Sequence, residues 1–104
     1  MKQFSDFAED TNLDGTKVKM SEIIGKQIYL MKFLIFPSTI RADERCLKLQ
    51  FRFINVVNGA EQVGDEDFVV FTGSEVLMNI MEHYKNELPF AVTVQKRDRG
   101  YRLI

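Results

Sequence analysis

Arg45-Cys46-Leu47-Lys48-Leu49-Gln50-Phe51-Arg52-Phe53-Ile54-Asn55-Val56-Val57, followed by Asn58-Gly59, is the stretch on which the fold turns. Leu47, Leu49, Phe51 and Phe53 alternate with Cys46, Lys48, Gln50, Arg52 and Ile54. Side chains in a strand point to opposite faces in turn, so this period of two predicts a strand with one dry face and one wet face. Asn58-Gly59 then predicts a tight hairpin, because both residues tolerate a positive φ.

The pattern extends upstream with one interruption. Residues 27–36 read as a strand in which Ile28 and Leu30 share one face, while Phe33 and Ile35 have the opposite parity. A β-bulge near Met31-Lys32 brings all four onto one face and bends the strand. Pro37 ends it, since proline has no amide for the ladder, and a polar loop runs to Glu44. Further upstream, Lys17-Val18-Lys19 is a brief extended piece and Met20 to Ile24 one helical turn, with Ser21 near its start and Gly25 as its stop. Met1 to Asn12 reads as a polar, acidic arm, and residues 13–104 as one domain.

Downstream, Ala60 to Asp67 is acidic and is compatible with strand, bulge or loop, and residues 67–72 form the next strand. Thr72-Gly73-Ser74-Glu75 predicts a capping box with Thr72 as N-cap and Ser74 as its rival. The helix runs to about Glu87, with Val76, Leu77, Ile80, Met81 and Tyr84 as its buried stripe. After Leu88-Pro89, residues 90–96 and 101–104 form a last pair of strands about a turn at 97–100. The expected class is all-β with one helix, in the order β-β-β-α-β-β. That is the order of the five-stranded OB-fold barrel, which most often binds oligonucleotides or oligosaccharides.

Bulk properties agree with a single globular domain. The chain has 104 residues, 45% of them hydrophobic, with nine Phe against six Gly and two Pro. Its start is polar rather than a secretory leader, its apolar run at 28–36 is interrupted by Lys32, and its single Cys46 permits no internal disulfide. The expectation is a cytoplasmic protein without a membrane span. The net charge of −1 hides a division. Arg41, Arg45, Lys48 and Arg52 outnumber Asp43 and Glu44 across 37–57; Lys85 stands alone against seven acids across 58–87; Lys96, Arg97, Arg99 and Arg102 face only Asp98 at the C-terminal end.

Several short motifs carry a resemblance. Phe71-Thr72-Gly73-Ser74-Glu75-Val76-Leu77, Leu88-Pro89-Phe90 followed by a hairpin, Lys17-Val18-Lys19-Met20 with Gly25-Lys26, and the Ile28/Phe33/Ile35/Pro37-Ser38 spacing resemble small single-stranded-DNA-binding-like proteins of bacteriophages and mobile elements. The resemblance covers residues 13–104 and implies an OB fold with a nucleic-acid ligand. The basic turn at Arg97, Arg99 and Gly100 departs from it.

An OB barrel presents its ligand to the outer face of its second and third strands, between the 1–2 and 4–5 loops. On that frame Lys48, Gln50 and Arg52 point outward, Arg41 and Arg45 lie at the 1–2 loop, and Lys96, Arg97 and Arg99 lie in the last hairpin. The expected function is binding of single-stranded nucleic acid, DNA before RNA, with little sequence specificity. Cations would neutralise phosphates and aromatic residues would stack on bases, with Tyr29, Phe36 and Tyr101 as candidates. The same Lys and Arg alternation also describes an ordinary solvated face. The alternatives are a protein-interaction or assembly module using Leu34, Phe36 and Ile54, and an oligosaccharide binder. A homo-oligomer fits any of these readings. His83 beside Glu82 on a helix, Cys46 far from it, and the unspaced acids Asp65-Glu66-Asp67 form no nucleophile–base pair, metal site or phosphate loop, so no enzyme activity and no cofactor is expected.

Overall fold

A computed structural model describes residues 13–38, 44–98 and 100–104. The strand that opens the sequence reading is β3 (Arg45–Val57), and it lies at the centre of the pairing. The other elements are β1 (Thr16–Val18), α1 (Met20–Ile23), β2 (Gln27–Pro37), β4 (Ala60–Val63), β5 (Phe68–Thr72), α2 (Glu75–Tyr84), a 3-10 turn at Lys85–Glu87, β6 (Phe90–Arg97) and β7 (Gly100–Leu103). Among the described residues strands dominate, and α2 is the one helix longer than a turn.

The strands follow the order β1-β5-β3-β2-β6-β7, with β4 attached to β3. Neighbours are antiparallel except for β1, which runs parallel to β5. The expected closed five-stranded barrel is thus replaced by an open sheet of seven described strands. The reason lies in β1: it occupies the outer edge of β5 through Thr16↔Phe68, Lys17↔Val69 and Val18↔Val70, leaving that edge with no place for the last strand. Gly15 makes this approach feasible, because a Cβ there would sit 2.8 Å from the Asp67 carbonyl oxygen.

Leu47, Leu49 and Phe51 are buried, as the alternation demands. Their register partners on β2 are Ile35, Phe33 and Leu30, and the register shifts between Leu30 and Lys32. The bulge therefore lies at Met31, and both halves of β2 face the same core. Val57↔Ala60 closes a two-residue hairpin through Asn58 (φ 53°) and Gly59 (φ 80°). The acidic segment after it is a strand, β4, and then a loop.

Helix α2 covers the inner face, with two differences from the sequence expectation. Its N-cap is Ser74, whose Oγ accepts from the Leu77 amide at 3.3 Å; Thr72 lies two residues earlier and its Oγ1 accepts from the Ser74 amide. The buried positions are Leu77, Met78 and Met81, while Val76 and Tyr84 remain 47% and 48% exposed. The apolar arc of this helix is wider than its contact with the core, and Val76 and Tyr84 lie outside that contact.

Phe51 is the hub of the core. It lies edge-on to Phe53 at 5.3 Å and stacks on Phe68 at 5.9 Å between centroids. Phe51→Ala removes the largest fully buried side chain and is expected to cost ~3–5 kcal/mol, read as a lowered midpoint in denaturant at unchanged slope. Gly15→Ala is expected to lower stability as well, with faster hydrogen exchange confined to β1 and β5; uniform exchange across the sheet would contradict the close approach.

Candidate functional site

The inner face of the sheet is filled by the core and α2, so the face the sheet leaves open is the outer one. The register places Tyr29, Lys32, Leu34 and Phe36 of β2 opposite Arg52, Gln50, Lys48 and Cys46 of β3. On the far side of β3, Phe71 of β5 faces Lys48 and Val69 faces Gln50. One continuous outer surface results, whose half-buried aromatic members are Tyr29, Phe36 and Phe71.

Phe71 is its centre. Phe36 meets it edge-on at 6.3 Å. The Lys48 Nζ lies 5.5 Å from its ring centroid, and the Lys17 Nζ, arriving from β1 on the opposite flank of β5, lies at 5.2 Å. Each distance is inside the ~6 Å reach of a cation–π contact. Among the described residues neither ammonium group has a carboxylate within ion-pair distance. Two like charges thus converge on one ring with no counterion among the described residues, an arrangement suited to an anion that carries a flat group.

The other expected site residues divide. Arg45 donates to the Glu75 carboxylate at 2.6 Å, in the first turn of α2. That hydrogen bond, and then the carboxylate's charge, raise the Arg45 guanidinium above its ordinary value, so it stays cationic throughout any working pH. Arg52 is held by Asp67 at 2.7 Å. The acidic block therefore folds back onto the basic face: Asp67 takes Arg52, and Glu66 accepts from the Thr16 hydroxyl at 3.0 Å. Gln50 is turned to the chain itself, its Nε2 donating to the Asp14 carbonyl at 2.9 Å. Leu13 and Val69 are both buried yet lie outside the main core cluster. The segment entering β1 thus covers part of the outer face beside Gln50.

Lys96 and Arg97 stand exposed at the end of β6, opposite Tyr101 and Gly100. Tyr101 packs against the core cluster. Arg97 and Tyr101 line a concavity of about 750 Å³ with Val76, Ile80 and Arg102, which does not include Lys48 or Arg52. Strand β2 lies between β3 and β6, and so between the two basic regions. Arg41 and Arg99 lie outside the described residues. Sequence reasoning missed Lys17 and Phe71. Phe71 has the outer parity of its strand, which was a usable signal; Lys17 arrives through a parallel pairing across some fifty residues that no local pattern announces.

Among the described residues no group of His, Cys, Asp or Glu is placed to hold a metal ion, and no helix is long and apolar enough to cross a membrane. His83 is exposed on α2, edge-on to Tyr84.

The family model that matches this chain spans residues 14–104 and is described as a domain of unknown function, DUF8468. The chain belongs to the DUF8468 family. The matched span holds every element from β1 to β7, and with them Lys17, Lys48 and Phe71. No curated protein and no solved structure matches the chain.

Gln50→Ala is expected to free the segment at Asp14. A hydrogen bond worth ~0.5–1.5 kcal/mol predicts a several-fold faster exchange of the Thr16 amide, with β2 and β6 unaffected. Unchanged exchange would mean that Leu13 burial alone holds the crossing.

Proposed function

We propose that the outer face binds single-stranded nucleic acid, DNA before RNA, with little sequence preference, and that the chain is a binding protein rather than an enzyme. The observation that carries this reading is the convergence of Lys17 and Lys48 on Phe71, beside Phe36. Cations track a phosphate backbone, and the open side of a half-buried ring offers every base the same π-face, so affinity without sequence reading follows from such a platform. Lys32 and the half-exposed Tyr29 extend the same surface along β2. Arg45 and Arg52 reach a phosphate only by giving up Glu75 and Asp67, and therefore contribute less than their charges suggest.

The finer fold reading belongs to this proposal. The path β5-β3-β2-β6-β7, with α2 between β5 and β6, supports an opened OB-type barrel in which β1 caps the edge that closure would use. On that reading Phe71, Lys48 and Phe36 lie on the strands that such barrels present to their ligands.

Fluorescence anisotropy with a labelled oligo-dT at low and high salt tests the proposal. Binding is expected to weaken as salt rises, and Lys17→Ala and Lys48→Ala are each expected to flatten the log–log salt dependence by about 0.7. Phe71→Leu, which keeps bulk but removes the ring, is expected to lose ~1–3 kcal/mol of affinity. No binding at low salt and micromolar protein sinks the nucleic-acid reading. Oligonucleotide binding that ignores salt contradicts the cationic mechanism, whereas self-association or partner capture that salt barely changes favours a protein-interaction surface through Leu34, Phe36 and Ile54.

A further inference from the structure

The six large hydrophobic side chains that stand exposed among the described residues fall into two places. Val56, Val57 and Val63 lie on the ribbon of β3 and β4, at 72%, 43% and 46% exposure. Val76, Tyr84 and Ile104 lie at the groove between α2 and β7. We propose that these two surfaces are halves of one interface, and that the chain assembles head to tail, the ribbon of one copy adding its β4 edge to the β7 edge of the next.

Both strands end their sheet. Among the described residues β4 pairs with β3 alone and β7 with β6 alone. In an antiparallel ladder, alternate residues turn their backbone groups outward. The Gly64 amide donates to the Phe53 carbonyl, so Asn55↔Gln62 and Val57↔Ala60 are the bonded pairs and the backbone groups of Glu61 and Val63 face out. Thr93 and Ile104 exchange both of their hydrogen bonds, so Gln95↔Arg102 and Arg97↔Gly100 are the bonded pairs of the last hairpin, and those of Tyr101 and Leu103 face out. Each edge thus offers two residues spaced by two, the unit that strand addition needs.

The surroundings match in chemistry. Beside β7 lie two adjoining concavities of about 750 and 440 Å³ that share Ile80 and Arg102. Their helical wall is Val76, Ile80 and Tyr84, the side of the α2 apolar arc that the sheet leaves uncovered. An incoming β4 brings Val63, with Val56 of β3 on the same face of the ribbon, to apolar side chains there. The charges are opposite as well. Between Ile54 and Asp67 the chain has Glu61, Asp65, Glu66 and no Lys or Arg, whereas Lys96 to Arg102 holds four basic residues against Asp98. Glu87 is the acid at the far end of the groove. Two ribbons would repel one another, and so would two β6–β7 hairpins, so complementarity favours the unlike pairing. Strands β2 and β6 lie between β3 and β7, so the two surfaces meet between molecules. Contacts of this heterologous kind build rings or filaments rather than closed dimers.

Sedimentation velocity on the nucleic-acid-free protein over a concentration series tests this without reference to any ligand. The expected result is a mass that climbs past the dimer as concentration rises. Val56→Lys on the ribbon and Tyr84→Glu in the groove, each checked for fold by circular dichroism, are each expected to weaken self-association by about tenfold or more. Their equimolar mixture should recover association but stop at a dimer, because each variant keeps one intact surface. Should either charged variant unfold, Val56→Ser and Tyr84→Ser probe the same surfaces. A wild-type chain that stays monomeric throughout, self-association unmoved by the groove variant, or a mixture with no dimer overturns the proposal.

Discussion

Leu47, Leu49 and Phe51 must be dry, and everything else in this molecule is arranged around that requirement. Because side chains alternate strictly along a strand, burying these three sends Cys46, Lys48, Gln50 and Arg52 to the opposite face. A slip of one residue would bury two cations and expose a phenylalanine, so the register is held by a penalty far larger than any single contact. The bulge at Met31 is the consequence on β2. Without it, either Ile28 and Leu30 or Phe33 and Ile35 would leave the core, and the partner strand could not follow β3 along its whole length.

This constraint also explains which parts of the structure were legible in the sequence. The β3 alternation, the β2 phase break, the Asn58-Gly59 turn and the final hairpin are local patterns with one physical solution each. Helix α2 was legible as a helix but not in its rotation. Val76, Leu77, Met78, Ile80, Met81 and Tyr84 form an arc broad enough to satisfy several orientations, and only the sheet beneath chooses Leu77, Met78 and Met81. Its start was ambiguous for a similar reason, since Thr72 and Ser74 are both competent caps and differ only in where the backbone leaves β5. The parallel pairing of β1 with β5 was not legible at all. Three residues have too little pattern to declare a partner, and the partner lies far away in sequence.

The candidate site shows why counting charges misleads. Arg45, Lys48 and Arg52 look alike on β3, yet two of them are engaged by carboxylates contributed from outside the strand, Glu75 at the start of α2 and Asp67 at the start of β5. Solvent screens exposed pairs of this kind and keeps them weak, so neither arginine is locked away from a polyanion, although the carboxylate is its partner when no ligand is present. Lys48 differs because its neighbour across β5 is another cation. The sequence division into basic and acidic blocks was therefore real, but folding pairs the blocks on either side of Lys48, Arg45 with Glu75 and Arg52 with Asp67, and leaves Lys48 between them with Lys17 across β5.

An open sheet has edges, and edges are a liability unless they are covered. Here β1 covers β5, and the result is that the last strand keeps a free side. A closed barrel would hide the outward groups of Tyr101 and Leu103 by pairing them within the molecule, and would leave the second apolar stripe of α2 without a purpose. The uncovered β7, and with it the uncovered side of the α2 arc, follow from one choice, the parallel insertion of Thr16 to Val18 beside Phe68 to Val70. The same insertion delivers Lys17 to Phe71. A single three-residue strand, admitted by the missing Cβ of Gly15, therefore shapes both the face that can meet a ligand and the edge that can meet another copy.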